Sequence, residues 1–391
     1  MVKPFQFARI PKIHFKNGII ADLPGFVRLY GNKLVLITGK NSFIQSRQAE
    51  KLFQDFKKES IEYHLISVPG EPSPDNIDQA VKRFYDEDFN LVVGIGGGSV
   101  IDAGKAISAM MYKSESVMEF LEGVGNKDHP GTRLPYIAIP TTSGTGSEAT
   151  KNAVISQTGK NGFKRSLRHD NFVPDIALVD PELTLNCPQD ITAASGMDCF
   201  TQLTEAYLSD RSNEYTDALA MEGLKSIKRS LIRSYTNGED IDARTGMSFA
   251  ALTSGICLAN AGLGAVHGFA SSIGGLYNIP HGLVCGSLMA KANEINVREL
   301  RKKSTYTVTL KKYALLGQLF LEGKGMNDDY YIDGFIQFLH KLTHGFHFPG
   351  LNSFEVEDKD IELICSLTES KNNPVKLSLD DLAEIVRARL L

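Results

Sequence analysis

From residue 34 the chain alternates short apolar runs with stretches whose apolar positions recur every three or four residues. Leu34-Val-Leu-Ile-Thr38 is a continuous apolar run rich in branched side chains and predicts a buried strand. Gln45–Lys57 follows, with Leu52, Phe53 and Phe56 set among charged residues, the pattern of an amphipathic helix. Glu62-Tyr-His-Leu-Ile-Ser67 predicts the next strand, a Pro/Gly turn spans 69–74, and a second helix runs to about Tyr85. The unit recurs with a strand at Leu91-Val-Val-Gly-Ile95 and a helix from Val100 to Met111. Strands joined through helices pair in parallel, so this order predicts a parallel sheet with helices on both faces.

After Asp180-Pro-Glu-Leu-Thr184 the texture changes. Branched runs thin out, and Ala, Leu, Met and Glu dominate Thr192–Tyr207 and Glu214–Ser230, which predicts helices. Asn186-Cys-Pro-Gln-Asp190 supplies a loop between the two textures. The division is an α/β dinucleotide-binding domain over 1–187 and an all-helical domain over 188–391. Near the end, Lys371-Asn-Asn-Pro374 reads as a loop before a final helix that Ser378 caps.

A length of 391 residues exceeds what one hydrophobic core commonly organises, which agrees with two domains. The net charge of −4, with both signs scattered, leaves no basic stripe for nucleic acid. No apolar run approaches the roughly 20 residues that span a bilayer. The start, MVKPFQFARIPK, lacks the apolar centre of a secretion signal, and the expected location is the cytoplasm. Cys187, Cys199, Cys257, Cys285 and Cys365 are far apart and odd in number, fitting neither a disulfide framework nor a C-x-x-C zinc module. They read as reduced, mostly buried thiols.

Two turns carry candidate chemistry. Ile95-Gly-Gly-Gly-Ser99 ends a strand and opens a helix, where glycines let backbone approach an anion and the helix start stabilises it. It is not a P-loop, because Gly98 to Gly104 is one residue too long and Ala106 follows Lys105. The dinucleotide fingerprint G-x-G-x-x-G is matched only in part. The second turn, Pro140-Thr-Thr-Ser-Gly-Thr-Gly-Ser-Glu148, follows Tyr136–Ile139 and is dense in hydroxyls and backbone donors suited to pyrophosphate and ribose. A tight turn at the first and a polar surface turn at the second are the structural alternatives.

These two segments, with Val179-Asp-Pro-Glu-Leu183, Gly196-Met-Asp198, Asn260-Ala-Gly-Leu-Gly-Ala-Val-His267 and Gly274-Gly-Leu-Tyr-Asn-Ile-Pro-His-Gly282, resemble the iron-containing alcohol dehydrogenase family in order and spacing. The resemblance runs from about residue 8 to at least 300. It implies NAD or NADP on the first domain and a divalent metal, zinc or iron, in the cleft. It also implies an alcohol or aldehyde substrate and a dimer or larger assembly. Carried to matching positions, Gly97, Gly98 and Ser99 hold pyrophosphate, Asp102 lies near the nicotinamide, and Thr141 and Thr142 line the cofactor cleft, with Lys164 reaching it. Gly39 stands where the family often has an acid for the adenosine ribose. Its absence removes repulsion against a 2′-phosphate, with Lys40 or Ser42 near it, so both nucleotides stay open.

The implied metal ligands are Asp198, Gln202, His267 and His281. Gln202 departs from the family, which has histidine there; Ser271 departs too, replacing the histidine that relays the proton. Amide oxygen is a weaker ligand than imidazole, but one carboxylate and two imidazoles still form a plausible catalytic set. The resemblance implies hydride transfer from an alcohol whose oxygen the metal polarises, with Asp102 and Ser271 closest to the chemistry. Departures of this kind also resemble enzymes acting on the terminal hydroxyl of 3-deoxy-D-manno-octulosonate in lipopolysaccharide synthesis. For that substrate, Lys151, Lys164, Arg165 and Arg168 are candidate carboxylate partners. The rival readings are a dehydroquinate synthase-like lyase using NAD transiently and a non-catalytic nucleotide-binding protein.

Overall fold

The computed structural model describes residues 4–85, 87–160, 162–303 and 307–390. The first half is built on strands β1 (Lys12–Phe15), β2 (Lys33–Gly39), β3 (Glu62–Val68), β4 (Leu91–Gly96), β5 (Tyr136–Pro140), β6 (Asn152–Gln157), β7 (Phe163–Arg168) and β8 (Ile176–Val179). Six of them form a sheet of order β1-β8-β5-β4-β2-β3, and every pairing in it is parallel. Helices α1 (Leu23–Arg28), α2 (Arg47–Lys58), α3 (Pro74–Phe84) and α4 (Gly98–Met110) cover its two faces. Val35 and Ile37 pack with α3 and α4 on one face, while Leu34 and Leu36 pack with α1 and α2 on the other. Successive side chains point to opposite faces, and with both faces buried β2 is apolar throughout.

The second half holds α5 (Gln189–Leu208), α6 (Glu214–Thr236), α7 (Ile241–Ala261), α8 (Ala265–Leu276), α9 (His281–Arg301), α10 (Thr307–Phe320), α11 (Asp328–Gly345), α12 (Ile361–Leu367) and α13 (Leu379–Arg387). One core joins these helices, with Phe200, Phe269, Leu288 and Phe335 at its buried centre. The chain turns by 98° between α7 and α8, where Gly262 takes φ +73°, a region that disfavours any side chain. Among the described residues no single helix is long and apolar enough to cross a membrane.

The predicted strands and helices recur within a few residues of their expected ends, and Ser378 Oγ caps α13 by accepting from Asp381 N. The sequence reading missed β1, β8 and the antiparallel hairpin β6–β7. β1 and β8 are four residues each, too short for a period to show. β7 reads Phe-Lys-Arg-Ser-Leu-Arg and buries only Leu167, so its charges mask it. The hairpin places Lys164 opposite Ser156 and packs against α4 and α8, bridging the halves.

Candidate active site

β4 delivers the glycine turn at the carboxyl edge of the sheet, and α4 starts at Gly98 with no side chain capping it. Its first amides are therefore open to an anion, favoured by the helix dipole. Close packing explains two of the glycines. A Cβ on Gly96 would sit 2.6 Å from Val100 Cβ, and one on Gly98 would sit 2.6 Å from Thr145 Cγ2. The second turn thus lies against the first, and Thr141 N also donates to Gly96 O at 2.9 Å. Thr141, Thr142 and Ser99 are half-buried along this seam. Gly39 ends β2 next to it, and the nearest atoms to a Cβ there are Ser42 Oγ at 3.9 Å and Val100 Cγ2 at 4.0 Å.

Beneath the turns lies a closed polar network. Lys105 is buried and donates to Ser147 O at 2.9 Å, Ser147 Oγ at 3.0 Å, Thr150 Oγ1 at 3.1 Å and Asn152 O at 2.7 Å. Burial pulls its pKa down, and Asp102 at 3.7 Å opposes that. Asp102 accepts from Ser147 Oγ and, at 3.1 Å, from Val154 N. Both oxygens of Asp102 are thereby engaged inside the protein, so the residue ties α4 to the second turn and the hairpin.

The second group gathers where α5, α8 and α9 meet. Asp198 projects from α5, His267 from the first turn of α8, and His281 opens α9. His267 Nε2 is 3.2 Å from Asp198 Oδ1, and His281 Nε2 is 3.7 Å from the same oxygen. A residue that the sequence reading passed over joins them: Cys285 Sγ is 3.7 Å from His267 Nε2 and 3.8 Å from His281 Nε2. The four donor atoms all lie within 4.8 Å of one another. Cys285 follows His281 by one helical turn, and that spacing was its readable signal.

Glu205, also unanticipated, orients the cluster. Its Oε2 accepts from His267 Nδ1 at 2.7 Å and its Oε1 from Val266 N at 2.8 Å. A carboxylate only accepts, so it fixes a proton on Nδ1 and aims Nε2 at Asp198 Oδ1, where Nε2 holds a proton in the absence of a cation and would offer its lone pair to one. Glu205 stands seven residues beyond Asp198 on the same face of α5, the pattern that could have revealed it. His281 Nδ1 is buried without a partner. Burial pushes His281 down to about 4, so the ring is neutral near pH 7 and able to donate a lone pair. Burial opposes ionisation of Asp198, but the hydrogen bond and charge of His267 help hold the carboxyl below its usual range. A carboxylate, two imidazole nitrogens and a thiol that face one point fit a divalent cation, which would displace the protons they share.

Three expected participants are engaged elsewhere. Gln202 Oε1 accepts from Ser254 Oγ at 2.8 Å, while its Nε2 lies 3.4 Å from Asp198 Oδ1. The amide thus presents its nitrogen, not the expected oxygen, toward the cluster. Ser271 Oγ donates to His267 O at 2.9 Å, within its own helix. Lys164 pairs with Glu71. The other basic candidates are also paired: Lys151 with Asp170, Arg165 with Glu369 at 3.6 Å, and Arg168 with Glu122 at 3.2 Å. Ser254 Oγ lies between the two halves of the site, its one proton shared among Gln202 Oε1 at 2.8 Å, Ala251 O at 2.8 Å and, at the outer limit of 3.5 Å, Gly144 O.

Comparison with known proteins agrees with this architecture. Residues 11–181 match the model "Iron-containing alcohol dehydrogenase", and residues 192–390 match its C-terminal counterpart. Alcohol dehydrogenase 4 of Schizosaccharomyces pombe is 33% identical over 300 residues, covering 76% of this chain and 70% of that protein. The NAD-dependent methanol dehydrogenase of Bacillus methanolicus is 28% identical over 381 residues, covering 96% and 97%. A crystal structure of 1,3-propanediol oxidoreductase superposes with a TM-score of 0.87 at 26% identity, covering 99% of this chain and 100% of that one. These relatives are named as alcohol dehydrogenases or oxidoreductases, which supports the oxidoreductase reading over the lyase and non-catalytic ones. The chain belongs to the iron-containing alcohol dehydrogenase family, and is an alcohol oxidoreductase that works with NAD(P) and a divalent metal.

Proposed function

We propose that the chain transfers hydride between an uncharged primary alcohol and NAD(P), giving the aldehyde. The observation that carries this reading is the convergence of buried Asp198 and His267 with half-buried His281, next to Gln202 and Ser254, which adjoin the glycine-rich seam. A divalent metal held by those residues supplies Lewis acidity toward the alcohol oxygen. Gly97, Gly98 and Ser99 offer backbone donors to the pyrophosphate, and Thr141 and Thr142 border the path toward the nicotinamide. Asp102 serves by position, keeping the second turn seated on the first. Ser271 spends its proton on a helix carbonyl, so the alcohol proton leaves by water or a ribose hydroxyl.

The choice of an uncharged substrate follows from the basic residues. Lys151, Lys164, Arg165 and Arg168 each already face a carboxylate, which leaves none of them unmatched for a sugar acid. Methanol and 1,3-propanediol, the alcohols in the names of two relatives, carry no charge either. At Gly39 no carboxylate repels a 2′-phosphate, which supports acceptance of NADP alongside NAD. The test is alcohol-dependent reduction of NAD and of NADP across uncharged primary alcohols and a 3-deoxy-octulosonate. Turnover with the uncharged series, and little with the sugar acid, is expected; turnover confined to the sugar acid would overturn the reading.

A further inference from the structure

We propose that the Cys285 thiolate is the fourth protein ligand of the metal, taking the place that Gln202 does not fill, so that the alcohol oxygen would enter as a fifth ligand. The inference rests on the metal-site reading above and extends it to a residue that neither the sequence motifs nor the resemblance assigns.

Geometry carries it. Ligand bonds of about 2.0–2.3 Å in a tetrahedral nitrogen, oxygen and sulfur site require donor atoms about 3.3–3.8 Å apart. Four of the edges among the cluster's donor atoms measure 3.2, 3.7, 3.7 and 3.8 Å, and Cys285 Sγ supplies two of these. Gln202 does not compete, because its oxygen is turned to Ser254. Cys285 is buried, and its sulfur faces both imidazole Nε2 atoms. His281 and Cys285 lie one turn apart on α9, so one rigid helix presents both donors together.

The chemistry follows from the donor set. On binding, the thiol proton leaves to solvent and the sulfur lone pair forms the bond to the cation. Glu205 stands behind His267 and does not reach the cation point, so of the direct donors only Asp198 carries a charge, and a Cys285 thiolate would supply the second negative ligand. Sulfur is a soft donor, so the site favours zinc or cobalt over magnesium, calcium or manganese, and zinc over ferrous iron.

The experiment is X-ray absorption at the zinc edge on the full chain, loaded with zinc, beside the optical spectrum of the cobalt-loaded protein. The wild type is expected to show one sulfur neighbour at about 2.3 Å and a near-ultraviolet thiolate-to-cobalt band. In Cys285→Ser both signals vanish while zinc is retained with lower affinity, and in Gln202→Ala both signals persist. Circular dichroism checks that each variant is folded. A shell of nitrogen and oxygen alone in zinc-loaded wild type overturns the inference and leaves the metal site standing. Failure of the wild type to bind zinc or cobalt overturns both.

Discussion

The two buried ionic clusters of this protein look alike in composition and differ in completeness. Around Lys105 every donor meets an acceptor: four oxygens lie within 3.1 Å of one ammonium, and Asp102 is satisfied by a hydroxyl and an amide. Around Asp198, by contrast, a carboxylate, two imidazole nitrogens and a thiol converge, and His281 Nδ1 is left without any partner. The converging atoms find partners only in one another, and a cation that replaced their shared protons would complete the site. The first cluster ties elements of the fold together, and the second is the one we propose as the metal site.

Variants that reverse this division give the largest effects. His281→Ala removes a donor from the incomplete cluster, and activity is expected to fall by more than about 100-fold, beyond the 10–100-fold typical of an outer partner. Steady-state kinetics with thermal denaturation should show that loss at nearly unchanged stability. Lys105→Met does the opposite. It leaves the Asp102 charge uncompensated and removes the ammonium donor from four oxygens, and urea denaturation should show a loss of about 3–5 kcal/mol. Metal content per folded chain stays constant, and a coincident loss of metal would blur the proposed distinction.

A third variant uses Glu148, buried in the second turn beside the Lys105 network. Burial lifts its carboxyl from 4.5 to about 7, with Lys105 opposing. Between those values the folded protein holds a proton that the unfolded chain has released. Stability therefore declines as pH rises through that window and levels off above it. Glu148→Gln is expected to abolish the decline and to gain up to about 3 kcal/mol above pH ~7, with no gain near pH ~4.5. Equal pH slopes for both proteins would contradict the assignment. The smallest effect is expected at Glu205→Gln, which loosens the hold on His267 Nδ1 and should weaken zinc binding by about 10–100-fold, read by competition with a chromogenic chelator.

How far the sequence revealed these features depended on the range over which each is written. The parallel sheet was legible because β2 and β4 are apolar on both faces and each feeds a helix within a few residues. The hairpin β6–β7 was hidden because its strands are half-exposed and β7 is rich in charge. In the site, Asp198, His267 and His281 were legible as motif positions. Cys285 and Glu205 were each offset by one or two helical turns from those residues, and only the packing of α5, α8 and α9 shows that they face inward. The amide orientation of Gln202 depends on Ser254, fifty-two residues away in sequence, and no local pattern encodes it.

The most direct test of the central claim is metal analysis of freshly purified protein beside the His267→Ala/His281→Ala double variant, with zinc titration of both after chelation. About one divalent metal per chain in the wild type, and none retained by the folded double variant, is expected of a site built on these donors. Equal metal content in the two proteins would contradict it.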